Sequence, residues 1–175
     1  MDIKTFFTEI QQKSIQLAIE NAELHTSGEI RVHLTSNCKG DVVKDATKVF
    51  EKLGMHKTEL RNGVLFYLAV EDKKFAILGD KGINDVVPAD FWDIIRDLMT
   101  LEFKRDQFTV GLCQGIEMSG ERLKVHFPYK KDDKNELLNE ISFEDWFELQ
   151  NKHFTNNKIN VSFPFSLYTS FYSNY

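Results

Sequence analysis

At 175 residues the chain is long enough for one domain and too short for two ordinary ones. Its 42% hydrophobic and 28% charged residues supply material for a real core, which excludes global disorder. A formal net charge of -5 gives no basic face for nucleic acid, and no apolar run approaches the ~20 residues of a membrane span.

The N-terminal residues MDIKTFFTEIQQK lack the apolar stretch of a signal peptide, so a cytoplasmic protein without direct membrane insertion is expected. Cys38 and Cys113 are far apart and form no CxxC pair, which fits free thiols in a reducing compartment. Thr8 and Gln11 have the spacing of a capping box and predict a helix start. Ile10, Leu17, Ala18 and Ala22 continue that helix as a stripe, as far as about His25. Thr26, Ser27 and Gly28 break it.

Residues 29–35 then alternate with the period of a strand. The polar row Glu29, Arg31 and His33 reads as an exposed sheet edge, with a wet groove as the alternative. Asp41 is a good N-cap for a helix whose Val42, Ala46, Val49, Phe50 and Leu53 share one face and whose stop is Gly54. Residues 63–70 are continuously apolar, as in a central strand buried on both faces. A short polar link leads to Phe75, Ala76, Ile77 and Leu78, so these two strands are expected to form an antiparallel hairpin.

Asp85 and Pro88 mark a helix start near Val87, with Phe91, Ile95, Leu98 and Met99 buried and Trp92 at the edge. Asp106 or Thr109 caps a last long helix, lined by Leu112, Ile116 and Leu123 and ended by Phe127, Pro128 and Tyr129. Residues 130–139 read as a solvated charged stretch. From Glu144 onward Asn, Ser and aromatic residues dominate, and Pro164 interrupts the only alternating run. One α/β domain is therefore expected over residues 1–143. Residues 144–175 are expected to form a poorly ordered or loosely docked tail, with self-association through its aromatic residues as the alternative.

The order helix, strand, helix, strand, strand, helix, helix contains one βαβ crossover and one hairpin. It predicts an α/β fold with a small mixed sheet covered by helices.

Three motifs, TSGEIRVH at 26–33, LRNGVLFYL at 60–68 and FAILGDKGIN at 75–84, resemble the TPM domain family. That family includes thylakoid lumen and photosystem II repair proteins. The likeness runs from about Ile3 to Phe143 and is nearest to the soluble, short bacterial branch, which ends in a segment like NELLNEISF at 135–143. The resemblance implies a three-layer α/β/α sandwich with helices on both faces. It also implies an acid phosphatase activity, described for plant members, and binding of divalent cations, thought to occur in some. A LemA-like membrane protein is the partner it suggests.

Topology independently brings residues 26–29, 61–63 and 79–82 to one end of the sheet, since a crossover makes the first two strands parallel. Glu29, Asp80 and Asp85 there are candidates to hold calcium or magnesium through oxygen ligands. Alternatively Arg61 and Lys81 bind phosphate, with Asn62 and the close-approach glycines Gly28 and Gly79, and Asp80 serves catalysis. The helix near Val87 adds free amides for an anion. The structural alternative pairs Arg61 with Glu29 or Asp80 and leaves Asn62, Gly63 and Asp80 as turn builders.

Neither cysteine opens a C-x5-R loop, and no GxGxxG, Walker loop or HExxH is present. Ser119 lacks a nucleophile elbow's upstream glycine, and the histidines have no metal-ligand spacing. The sequence thus reads as a binding or accessory module that requires no cofactor, with a divalent-cation or phosphate site at the sheet end. A weak metal-assisted acid phosphatase is the alternative, and any hydrolase activity follows from the resemblance alone.

Overall fold

The computed structural model describes residues 2–129 and 137–144. Helix α1 (Glu9–Glu23) starts on the expected capping box: Thr8 Oγ1 accepts from the Gln11 amide, and the Gln11 side chain accepts from the Thr8 amide. Strand β1 (Glu29–Thr35) is followed by α2 (Val42–Lys52), capped by the Asp41 carboxylate and stopped at Gly54, where φ is 73°. Strands β2 (Gly63–Ala69) and β3 (Lys74–Gly79) form the hairpin. One helical turn, α3 (Lys81–Asn84), precedes α4 (Phe91–Phe103) and α5 (Phe108–His126), and β4 (Ser142–Phe143) closes the described chain.

The sheet order is β3-β2-β1-β4, with β1 parallel to both β2 and β4 and β2 antiparallel to β3. Side-chain alternation sends Ile30, Val32 and Leu34 of β1 and Val64, Phe66 and Leu68 of β2 to one face, where α1, α4 and α5 cover them. Leu65, Tyr67 and Ala69 go to the other face, under α2. This is a mixed-sheet α/β fold with helices on both faces. Each fully buried aliphatic or aromatic side chain in these two clusters contributes ~1.5–3 kcal/mol.

Several local expectations differ from what forms. β1 is buried along its whole length and lies between two strands, so its polar row is not an exposed edge. Residues 137–144 supply the cover, and the Glu144 amide donates to the Leu34 carbonyl. Leu137 packs on the α2 side, so the end of the charged stretch is engaged rather than solvated. In α1 the buried residues are Ile15 and Ile19, with Ala18 and Ala22 of the expected stripe packed beside them, while Ile10 and Leu17 face solvent. A long amphipathic pattern fixes the helix, but which stripe meets the sheet depends on the docking angle.

Trp92 is buried, and its Nε1 donates to Asn84. The helix expected near Val87 begins at Phe91, because residues 81–84 form their own turn first. Gln107, not Asp106 or Thr109, precedes α5; Asp106 takes a positive φ of 58° instead. Cys38 and Cys113 are free thiols. Residues 145–175 of the expected tail lie outside the described residues.

Candidate functional site

The three segments expected at the amino-terminal end of β1 and β2 do meet. Glu29 is in register with Gly63, and Val64 with Gly79. The Asp80 amide donates to the Gly63 carbonyl at 2.8 Å, and the Gly82 amide to the Arg61 carbonyl at 2.7 Å. The Asn62 Nδ2 reaches back to the Ser27 carbonyl at 3.1 Å. Arg61 adopts a φ of 52°, an unusual backbone for a long side chain, and this turns its guanidinium onto Asp80. Nε donates to Oδ2 at 2.6 Å and Nη2 to Oδ1 at 2.7 Å, a two-point pair. Hydrogen bonding to that carboxylate holds Arg61 above its ordinary pKa.

Asp80 has a second task. Its Oδ1 also accepts from the Lys81 amide at 2.8 Å and caps α3. Both oxygens of Asp80 are thus engaged by protein donors. Lys81 Nζ reaches the exposed Asp85 at 2.5 Å, one turn along the same short helix. A Cβ at Gly28 would strike Leu123, and one at Gly79 would strike Asn84 and Trp92 at 2.6 Å, so packing demands both glycines. Glu29 is buried at the start of β1, and its charge acts on Glu23 and Arg31. Among the described residues no group of three His, Cys, Asp or Glu converges as a cation cage requires. The buried Asn62 Oδ1 of this corner has no hydrogen-bond partner among the described residues.

A row of buried charge runs from this corner along β1. Burial pushes the Glu23 carboxyl up to about 8, against the Ile30 amide that donates to it at 2.6 Å. Glu29 pushes the same way, while Asn139 and Arg31 oppose. Burial likewise lowers Arg31, with Glu23, Glu29 and Glu140 opposing. Desolvation outweighs the attraction at Glu23.

The opposite end of the sheet is open. At the carboxyl ends of β1 and β2 lies a cleft of about 460 Å³, a volume in the range of small-molecule sites. In open α/β sheets the crevice beyond the carboxyl ends of parallel strands is the usual place for a ligand. Its floor is polar: His33, Thr35, Tyr67 and Glu144 are each at most 7% exposed. Thr35 Oγ1 donates to Glu144 Oε2 at 2.5 Å, and the His33 Nδ1 meets Ser142 Oγ at 2.9 Å. The His33 and Tyr67 rings stack at 5.8 Å with 12° between planes.

Lys39, Lys48 and Lys52 stand at the rim with Asn37 and Asp45. Asp45 binds Lys48 at 2.9 Å; burial raises its pKa, and the hydrogen bonds from Lys48 and Cys38 more than offset that. Burial pushes the Tyr67 hydroxyl up, and pushes the Cys38 thiol up to about 11. Neither is poised to ionise near neutrality. The loop after β1 is pinned to the β2–β3 turn: the Cys38 amide donates to Asp72 at 2.6 Å, and the Asn37 Nδ2 to Glu71 at 3.2 Å.

Against known proteins, residues 1–122 match the TPM domain. The chain belongs to the TPM domain family. This TPM domain is 52% identical to the BA42 protein from the psychrophilic bacterium Bizionia argentinensis. The likeness covers 82% of this chain and 99% of that one, with a TM-score of 0.75. Two distant structures share the fold. The N-terminal domain of cg2496 from Corynebacterium glutamicum is 16% identical, with a TM-score of 0.55 over 68% of this chain and 75% of that one. An N-terminal domain from P. gingivalis is 18% identical, with a TM-score of 0.58 over 71% and 82%. No curated protein matches. No helix among the described residues is long and apolar enough to cross a membrane.

Of the residues that the sequence nominated in this TPM domain, Arg61, Asn62, Asp80, Gly28 and Gly79 do gather at one corner, as the topology requires. Lys81 and Asp85 pair with each other at its rim. The cleft residues Thr35, Tyr67, Asp45, Lys48, Lys52 and Glu144 escaped sequence reasoning. Polar alternation along β1 was the one available signal, and the wet-groove reading of it fits the cleft that His33 and Thr35 line.

Proposed function

We propose that this TPM domain is a binding module that holds a small, hydroxyl-bearing anion in the cleft at the carboxyl ends of β1 and β2. The observation that carries this reading is the polar floor: four buried side chains capable of hydrogen bonding lie under a lysine rim. Burying polar side chains costs free energy, and a purely structural interior is better filled by apolar ones. Here the Tyr67 hydroxyl and the His33 imidazole face a ligand's polar body, while the Thr35 hydroxyl, which donates to Glu144, holds the floor in place. Lys39, Lys48 and Lys52 outnumber Asp45 and Glu144, so the rim favours negative charge.

The test is an NMR titration of the isotope-labelled chain with citrate and with ribose 5-phosphate. Amide shifts confined to residues 35–39 and 45–52, lost in the double variant Lys48→Ala/Lys52→Ala, are expected. Absence of shifts there with both compounds sinks the reading. The second reading is a cation or phosphate site at the corner, with metal-assisted phosphomonoester hydrolysis, and the buried Asn62 Oδ1 favours it. Calcium- or magnesium-induced shifts at Thr26, Asn62 and Asp80, with p-nitrophenyl phosphate turnover abolished by Asp80→Asn, would put it in place of the first.

A further inference from the structure

The cleft at the carboxyl ends of β1 and β2 is chemically two-ended, and the bonding within its floor says which end of a ligand goes where. Hydroxyl protons at the floor are spent inside the protein. Ser142 Oγ lies 3.1 Å from the Val32 carbonyl, which can only accept, so its one proton goes there. The His33 Nδ1, 2.9 Å from the same oxygen, is then the donor to Ser142, which puts the lone pair of the neutral ring on Nε2. The Thr35 hydroxyl has two acceptors beside it, Glu144 Oε2 and the Asn37 carbonyl, and its proton is spent likewise. Glu144 lines the cleft and is only 7% exposed. A carboxylate accepts at about four lone-pair positions, so the bond from Thr35 leaves capacity for further donors. The floor therefore takes donors, whereas Lys39, Lys48 and Lys52 at the rim take an anion.

The geometry points to a sugar phosphate as the ligand of this cleft, with its phosphate on the lysine rim and vicinal hydroxyls donating to Glu144. This rests on the binding reading proposed above and narrows it. Three lysines against the two carboxylates Asp45 and Glu144 leave the lining positive, which disfavours an ammonium as the donor at the floor and leaves a neutral hydroxyl. Three ammonium groups are better matched by a phosphate monoester, with its three acceptor oxygens, than by a single carboxylate. A polycarboxylate fits less well. With one carboxylate on the rim, another is driven toward Glu144, and like charges in a desolvated site repel. Adjacent hydroxyls on one face of a sugar ring instead donate to the carboxylate as charge-assisted hydrogen bonds. Glu144, which selects the hydroxyls, and Ser142, which orients His33, lie beyond residues 1–122, so this preference belongs to the chain that follows the matched TPM domain.

The test compares dissociation constants on the full chain, read from amide shifts at residues 35–39 and 45–52. Four compounds are titrated: ribose 5-phosphate, its 2-deoxy form, citrate and O-phosphoethanolamine. Ribose 5-phosphate should bind at least about tenfold more tightly than each of the others, the deoxy form being weaker because one hydrogen bond to a charged group is gone. Glu144→Gln keeps an acceptor for Thr35. It should weaken ribose 5-phosphate by about tenfold and bring citrate level with it. Citrate or the zwitterion binding to the parent chain as tightly as ribose 5-phosphate overturns the inference and leaves the cleft an anion site. So does a deoxy form that binds equally well, or a folded Glu144→Gln chain with unchanged affinity for ribose 5-phosphate. The ligand series on the parent chain decides the outcome even where Glu144→Gln does not fold. Should none of the four compounds bind, the binding reading fails and takes the sugar phosphate with it.

Discussion

The two ends of the sheet are built from the same strands and are opposite in character. At the amino-terminal end of β1 and β2, residues from three loops lock onto one another: Arg61 on Asp80, Asp80 on the Lys81 amide, Asn62 on Ser27. At the carboxyl end the strands open into a cleft whose floor is polar and whose rim is cationic. Charged residues are plentiful at both. The lesson is that a convergence of Arg, Asp, Asn and Gly signals a closed structural knot when each group finds its complement locally. A cleft needs polar groups that face outward from a rigid floor.

Breaking the knot should have the largest effect on stability. In Gly82→Ala the new methyl would run into the Leu60 and Arg61 carbonyl groups, which are backbone and cannot swing away. A loss of about 3 kcal/mol or more is expected from urea unfolding, the size seen for severe overpacking. A near-neutral result would mean that the corner yields easily and is not closed.

The next effect is pH-dependent and lies between the two ends. Glu23 has its carboxyl pushed up to about 8 from an ordinary 4.5, chiefly by burial. A carboxyl raised in the folded state binds its proton more tightly there than in the unfolded chain. The contribution of Glu23 to stability is therefore fully present below pH 4.5 and is lost as pH rises toward about 8. Urea midpoints across that window should fall with rising pH, and Glu23→Gln should flatten the slope. An unchanged slope in that variant would assign the dependence to another group.

Asp80→Ala removes the α3 cap and the partner of Arg61 together. Because Arg61 is half exposed, its share is small, and the expected total loss is about 2 kcal/mol by thermal or urea unfolding. The smallest stability effect belongs to the cleft. Lys48→Ala should shift unfolding by less than about 0.5 kcal/mol, since its pair with Asp45 is on the surface. It should nonetheless weaken binding of citrate, read by the same amide shifts. A cleft variant more damaging to stability than Asp80→Ala would reverse the contrast between the ends.

Much of this molecule was legible one element at a time. The Thr8 capping box, the Asp41 cap, the Gly54 stop and the β2–β3 hairpin follow from neighbours in sequence, and each forms as expected. The knot was legible too, because strand direction follows from the length of a connection. Its chemistry was not: only the turn at Arg61 shows that Asp80 is already occupied. The stripe on α1 is legible only in part: Ala18 and Ala22 pack on the core, whereas Ile10 and Leu17, which obey the helical period equally well, face solvent. Periodicity says that a face exists and not which way it points.

By itself the sequence determined the order and type of the seven main elements, though not α3 or β4, together with the family and the corner where three loops meet. Those rest on local periodicity, caps and the handedness of a crossover. Only the tertiary structure decided that β1 is an interior strand and that its carboxyl end, His33 with Thr35, floors a cleft. The reason is distance along the chain. Thr35 meets Glu144 across 109 residues, and no local pattern encodes a contact made by the last short strand returning beside the first.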